Sequence, residues 1–295
     1  MTVFSTLIWF FCSGLACSPQ ADSELLAVSE MRTLLHDGIE RRYGMYVPEG
    51  YDGSENLPLI VNYHGGCMDA LSQMEAMNMR DVADEHRLVL VYPEGTNEEG
   101  TDDCLIWNSG PYFDSASNKT TADDLGFTRA MIAEIVADYA IDPDRIFATG
   151  FSNGGFMTHA VGCYQSDIFA AIAPIAGMMT EEQTDPESSY PCQPSHPMPV
   201  ILFHGTADFA VSIELGEEAV AFWSSLNNAE LSGDVSEQNG VEHYVYTGGD
   251  RGARVEFYKV INGYHETFAS LDYEGANSPE IIWDFFSQYD LNGIR

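Results

Sequence analysis

The stretch Arg145-Ile146-Phe147-Ala148-Thr149-Gly150-Phe151-Ser152-Asn153-Gly154-Gly155 constrains this chain more than any other. An apolar, β-prone run, Ile146 to Ala148, leads directly into Gly150-x-Ser152-x-Gly154. Phe156, Met157, Ala160 and Val161 then follow at helical spacing. The pattern predicts a strand, a very sharp turn and a helix. A serine at such a turn sits in a strained backbone conformation with its hydroxyl exposed at the carboxyl end of a sheet. The flanking glycines leave room for the adjoining strand and helix. The helix N-terminus points N–H groups at the place where an oxyanion would form. The bland reading is a tight structural turn; the strand before it and the helix after it favour a nucleophile.

A serine hydroxyl needs a base, and the base needs an orienting acid, in the chain order Ser, Asp or Glu, His. Val200 to His204 reads as a buried strand, and Asp208 lies in the loop just beyond it. Val255 to Val260 reads as a later strand, followed by Ile261-Asn262-Gly263-Tyr264-His265. Ligands bind outside the carboxyl ends of strands in open α/β sheets. Ser152, Asp208 and His265 all fall at such ends and form the expected catalytic set. Asp185 or Glu217 could replace Asp208 as the orienting acid. His204 lies inside its apolar strand and reads as a hydrogen-bonded structural histidine. His36, His86, His159, His196 and His243 have no partner visible in the sequence. His64-Gly65-Gly66-Cys67 ends another buried strand, Leu57 to Tyr63. There Gly66 or Cys67, with the N–H of Asn153, would form an oxyanion hole; the alternative is a plain Gly-Gly turn.

The rest of the chain fits an α/β layout. Arg42–Val47 and Leu88–Tyr92 read as strands, as do residues 168–176, Val241–Tyr246 and Arg254–Val260. Met74–Glu85, a helix capped by Asp123-Asp124 and running through Tyr139, Ser212–Leu226 and Pro279–Tyr289 read as helices. Continuous apolar strands alternating with helices predict a mostly parallel sheet covered on both faces. Residues 96–122 and 178–197 are long loops, the first carrying Trp107, Tyr112 and Phe113, which could wall a substrate pocket or simply pack against the core. No repeat or linker divides the chain, so residues 38–295 read as one domain behind a polar lead-in, 18–37.

At the N-terminus, Val3 to Cys12 is apolar but too short to span a bilayer, and Gly14-Leu15-Ala16 offers the small residues of a signal-peptidase site. Residues 1–17 therefore read as an export signal, and Cys17 after Ala16 also admits lipid attachment. No other stretch is long and apolar enough to be a transmembrane helix. The remaining Cys67, Cys104, Cys163 and Cys192 allow three pairings, and an exported chain favours disulfides. No cysteine or histidine spacing suggests a metal site. The 46 acidic residues against 12 basic ones, a formal charge of −34, argue against nucleic acid and anionic membrane surfaces.

Taken together, His64-Gly65-Gly66-Cys67, Tyr92-Pro93-Glu94-Gly95, Trp107-Asn108, Asp123-Asp124-Leu125-Gly126-Phe127, Gly150 to Gly155, Phe169 to Gly177 and His204-Gly205-Thr206-Ala207-Asp208 resemble the exported polyhydroxybutyrate depolymerase and feruloyl/acetylxylan esterase group of α/β hydrolases. The resemblance covers roughly residues 38–290. It implies the α/β-hydrolase fold and a secreted carboxylic-ester hydrolase with no cofactor. It also implies a triad of Ser152, Asp208 and His265, and disulfides Cys67–Cys104 and Cys163–Cys192. The expected substrates are short acyl, feruloyl or hydroxyalkanoate esters. A serine peptidase of the same fold and a non-catalytic binding protein on this scaffold are the rival readings. Two departures bear on substrate. Tyr112 and Phe113 stand where the group often has a cysteine pair, and Glu266-Thr267-Phe268 follows His265 where the group often has Trp-Pro.

Overall fold

A computed structural model of the chain describes residues 30–101, 103–110, 120–232 and 235–295. The export signal, Cys17, Tyr112 and Phe113 lie outside the described residues. The main sheet holds β1 (Glu30–His36), β2 (Ile39–Tyr46), β3 (Leu57–Tyr63), β4 (Val89–Pro93), β7 (Ile141–Phe151), β8 (Ala171–Ile175), β9 (Val200–Gly205), β10 (Glu230–Leu231), β11 (Ser236–Gln238), β12 (Val241–Thr247) and β13 (Val255–Val260). Two small ribbons, β5 (Thr96–Asn97) with β6 (Leu105–Ile106) and β14 (Tyr289–Asp290) with β15 (Gly293–Ile294), stand apart from it. The helices are α1 (Ala70–Ala76), α2 (Arg80–His86), α3 (Asp124–Asp138), α4 (Asn153–Tyr164), α5 (Glu181–Thr184), α6 (Ile213–Leu226) and α7 (Ser278–Phe286).

The strand order is β1-β2-β4-β3-β7-β8-β9-β13-β12-β10, with β11 also pairing β12. The middle of the sheet, from β4 through β3, β7, β8 and β9 to β13, is parallel. Both flanks are antiparallel. Every residue of β3, β4, β8 and β9 is buried, as expected of strands covered on both faces. Leu59, Val61, Val89 and Val91 enter one core with residues of α3, α4 and α6. Ile60, Leu90, Phe147 and Phe203 enter the other with residues of α1, α2 and α7. This is the α/β-hydrolase arrangement, a mostly parallel sheet with helices on both faces.

Two local expectations are corrected. Residues 30–36, placed in the polar lead-in, form β1 and pair in full register with β2 through a turn at Asp37-Gly38. An edge strand is exposed along much of its length, so it lacks the apolar run that marks an interior strand. The helix expected over Met74–Glu85 is two helices broken at Met77–Met79. Met77 and Met79 are both fully buried, and the break turns both inward. One buried ion pair was also unforeseen. Arg41 Nη2 lies 2.5 Å from Asp124 Oδ1, and its guanidinium sits 4.0 Å above the Phe127 ring. The pair locks β2 to the first turn of α3, which Asp123 caps by accepting the Gly126 N–H at 2.9 Å.

Candidate active site

The carboxyl ends of β3, β7, β9 and β13 meet at one rim of the sheet. β7 turns into α4 at Ser152, whose φ of 54° and ψ of −117° place a non-glycine residue in a sparsely populated conformation. The packing around it enforces the turn. A Cβ on Gly154 would lie 2.2 Å from the carbonyl oxygen of Tyr63, and one on Gly150 would lie 2.4 Å from that of Gly154. Only glycine lets β7, α4 and the end of β3 approach this closely. The Ser152 N–H donates to Ile175 O on β8 at 2.9 Å, holding the turn to its neighbour strand.

Ser152, His265 and Asp208 come together as the sequence predicts. His265 Nε2 lies 2.8 Å from Ser152 Oγ, and its Nδ1 lies 2.7 Å from Asp208 Oδ2. The Asp208 side chain is fully buried. Its other oxygen, Oδ1, accepts the N–H groups of Ala210 and Val211, each at 2.9 Å. Burial alone would raise the Asp208 carboxyl. Hydrogen bonds from His204, His265 and the Val211 N–H outweigh that and hold it well below the usual carboxylate range. The two loops that carry the acid and the imidazole are tied to each other. The Ala207 N–H donates to Gly263 O at 2.9 Å, and the Asn262 N–H donates to Thr206 Oγ1 at 2.8 Å. Phe151 packs its ring 4.8 Å from that of His265. Glu217, the alternative acid, instead accepts from Lys259 Nζ at 2.7 Å.

The His64-Gly65-Gly66-Cys67 loop faces the start of α4, with the Cβ position of Gly66 3.7 Å from Asn153 Cβ. The Cys67 N–H is already committed, donating to Leu105 O at 2.8 Å. Of the two donors the sequence offered here, the Cys67 N–H is therefore spent inside the protein, which favours Gly66 beside Asn153. The Asn153 N–H, at the first position of α4, has no intrahelical acceptor. A hydroxyl on an imidazole that a carboxylate orients, next to two such N–H groups, can transfer a proton and hold a developing negative oxygen.

Two features of this loop were not legible in the sequence. His64 is buried and accepts the Gly95 N–H on Nε2 at 2.9 Å, so Nδ1 carries the proton and donates to Gly65 O at 2.7 Å. Burial pushes this imidazole down to about 4, so it is a neutral staple of the loop. Trp107 is 2% exposed. Its indole N–H donates to His64 O and its backbone N–H donates to Asn153 Oδ1, at 2.9 and 2.7 Å. Of the two readings of Trp107, pocket wall or packing against the core, the second holds: its polar edge is used inside the protein, and the ring props the loop from behind. Both disulfides are present, Cys67–Cys104 tying this loop to the segment before β6 and Cys163–Cys192 tying α4 to the loop before β9.

A cavity of about 510 Å³ lies beyond the Cys67 side of the loop, lined by Arg42, Asp69, Ser72, Glu94 and Asn97 among others, with none of Ser152, Asp208 or His265 on its wall. Among the described residues one group, His36, Asp37 and Asp123, has three ligand-type atoms within 4.8 Å of one another. It is accounted for by the Asp123 helix cap and the His36 contact to it at 3.1 Å. No helix among the described residues is long and apolar enough to cross a membrane.

Comparison with known proteins gives a consistent picture. The family model described as "Esterase PHB depolymerase" matches residues 41–209. Feruloyl esterase B of Piromyces equi is 31% identical over 83% of this chain and 44% of its own length. Poly(3-hydroxyalkanoate) depolymerase C of Paucimonas lemoignei is 26% identical over 75% of this chain and 57% of its own. The chain thus spans about half the length of these curated relatives. The solved acetyl xylan esterase from Aspergillus awamori superposes with a TM-score of 0.65 at 13% identity, covering 88% of this chain and 99% of that one, a likeness of fold.

Proposed function

The chain belongs to the PHB depolymerase family of esterases, whose model spans residues 41–209, and on that footing we propose that it is a serine carboxylic-ester hydrolase with Ser152, His265 and Asp208 as its triad. The observation that carries the reading is the continuous hydrogen-bonded line Ser152–His265–Asp208, at 2.8 and 2.7 Å. Ser152 Oγ attacks the ester carbonyl while His265 Nε2 takes its proton. Asp208 keeps the imidazole in the tautomer that leaves Nε2 free to accept, and it stabilises the imidazolium that forms. The N–H groups of Asn153 and Gly66 hold the tetrahedral oxyanion, each donor contributing on the order of 3 kcal/mol to the transition state. Collapse returns the proton to the leaving alkoxide and leaves an acyl-serine. Water, deprotonated by the same imidazole, then attacks the acyl-serine and regenerates Ser152.

Short acyl, feruloyl or hydroxyalkanoate esters are the substrates this reading favours. Its support is the relatives named feruloyl esterase and poly(3-hydroxyalkanoate) depolymerase. Export to an oxidising compartment, with processing after residue 16 or lipid attachment at Cys17, is part of the proposal; two disulfides support it. The test is a panel of p-nitrophenyl esters, methyl ferulate and hydroxybutyrate oligomers beside aminoacyl anilides, run on wild type and Ser152→Ala. Ester turnover that falls at least about 10⁴-fold in the variant is expected. Anilide-only turnover, or a fully active variant, would overturn the assignment.

A further inference from the structure

We infer that His204 is a positioning residue for the Asp208–His265 pair, closing the Asp208 loop from inside the sheet and presenting a second donor to the carboxylate oxygen that orients His265. The inference deepens the serine-esterase reading and rests on it. His204 occupies the next-to-last position of β9 and is 2% exposed. Its Nε2 lies 2.9 Å from Val211 O and 3.5 Å from Asp208 Oδ2. Val211 O can only accept, so Nε2 carries the proton. The Val211 N–H meanwhile donates to Asp208 Oδ1 at 2.9 Å. One strand residue therefore contacts both ends of a closed ring: the carboxylate, and the carbonyl of the residue whose N–H holds that carboxylate.

The imidazole has little freedom to leave this place. On its far side α6 presents Gly216, where a Cβ would lie 2.5 Å from His204 Nδ1. The space for the ring exists because α6 has no side chain at that point. On the near side, Asp208 Oδ2 receives His265 Nδ1 at 2.7 Å. Oδ2 thus faces imidazoles from both directions, and Oδ1 is filled by two backbone donors. A carboxylate with every lone-pair direction occupied cannot rotate without breaking several bonds at once. That fixed orientation sets the direction of the His265 ring and so of its Nε2 toward Ser152. The other titratable groups around His204 are His159 from α4 and Glu214 from α6, both within reach of its field. Lys259, its register partner on β13, is held by Glu217 at 2.7 Å.

The step that depends on His204 is proton transfer, so the pH profile separates positioning from bulk packing. Removing one donor leaves Asp208 a stronger partner for imidazolium. The acid limb of kcat/KM should then move to higher pH. The experiment measures kcat, KM and the pH dependence of kcat/KM on p-nitrophenyl acetate for wild type, His204→Gln and His204→Met. Gln keeps a donor near the Nε2 position; Met keeps volume and removes it. Met is expected to lower kcat by about 10- to 100-fold with KM little changed. It should also raise the acid limb by roughly half a unit or more. Gln should recover most of both.

A Met variant with wild-type kcat and an unmoved limb overturns the inference. So does a Gln variant that melts like wild type yet loses as much as Met. If Met does not fold, Gln decides alone, because its limb must stay with the wild type. Titration of the His265 ring protons by NMR, in a Ser152→Ala background with and without His204→Met, reads the same displacement without turnover. Full ester turnover by Ser152→Ala would sink the triad assignment, while the NMR titration would still judge the His204 contact.

Discussion

At the scale of single residues Gly154 leaves very little tolerance next to Ser152. A Cβ there would meet two backbone carbonyl oxygens, Tyr63 O at 2.2 Å and His64 O at 2.6 Å, neither of which can rotate away. Gly154→Ala must therefore separate α4 from the end of β3, an overpacking that costs about 1–3 kcal/mol. The same displacement moves the Asn153 N–H and the Ser152 hydroxyl relative to His265. A lower Tm together with a kcat loss that exceeds any change in KM is expected, measured on a p-nitrophenyl ester; wild-type kcat in this variant would show that the close approach is dispensable. Ser152, Asp208 and His265 were legible in the sequence because each follows an apolar strand, and strand ends converge in this architecture. His204 was legible as a buried, hydrogen-bonded strand residue and Trp107 as a ring that could pack inward, but the partners of His64, Trp107 and His204 were not. Their partners are backbone carbonyls and N–H groups supplied by other loops, and no residue type marks a carbonyl that will be nearby. The engagement of the Cys67 N–H is of the same kind, since it turns on where Leu105 O lands.

Among the elements, the interior strands were legible to within a residue or a few, because burial on both faces leaves a continuous apolar run. The exceptions have the same physical origin. β1 pairs on one side only, and the α1–α2 break answers to buried methionines that helical periodicity does not distinguish from a single helix. The two disulfides join different elements and should behave differently. Cys163–Cys192 closes a separation of 29 residues between α4 and a surface loop, and Cys67–Cys104 closes one of 37 between the His64–Cys67 loop and the approach to β6. Chain-entropy arguments give each about 3–4 kcal/mol. Replacing Cys163 and Cys192 together by alanine should lower the urea midpoint and leave kcat close to wild type. Replacing Cys67 and Cys104 should lower both, because the Leu105–Trp107 segment that this bond anchors contacts Cys67 N–H and the Asn153 side chain. Equal effects on kcat from the two pairs would contradict this division of roles.

For the whole molecule, stability is set against two kinds of charge. The first is held off by burial. His64 is pushed down to about 4 and His159 to about 3, in both cases mainly by burial, so both are neutral in the fold. An unfolded histidine titrates near 6.5. As pH falls below that value the unfolded chain takes up protons that the native one refuses, and stability drops by about 1.4 kcal/mol per histidine for each pH unit until the folded values are reached. Urea midpoints measured at pH 7.5, 6 and 5 should therefore decline steadily; a flat series would mean that neither ring is excluded from protonation. The second kind is the acidic surplus of the sequence, 46 acidic residues against 12 basic ones with a formal charge of −34, most of it outside buried pairs such as Arg41–Asp124. Exposed pairs such as Arg129–Asp167 and Lys259–Glu217 use up several of those cations, and pairs of this type contribute little. The uncompensated carboxylates repel one another most in the compact state. Salt shortens the reach of that repulsion from about 10 Å at 0.1 M to about 3 Å at 1 M. Raising NaCl across that range at pH 7.5 should raise Tm by several degrees, whereas sorbitol at matched osmolality should do much less, since it leaves the repulsion unscreened. A Tm that responds equally to both would place the gain in solvent exclusion rather than in charge, and the acidic surplus would then carry no stability cost for salt to relieve.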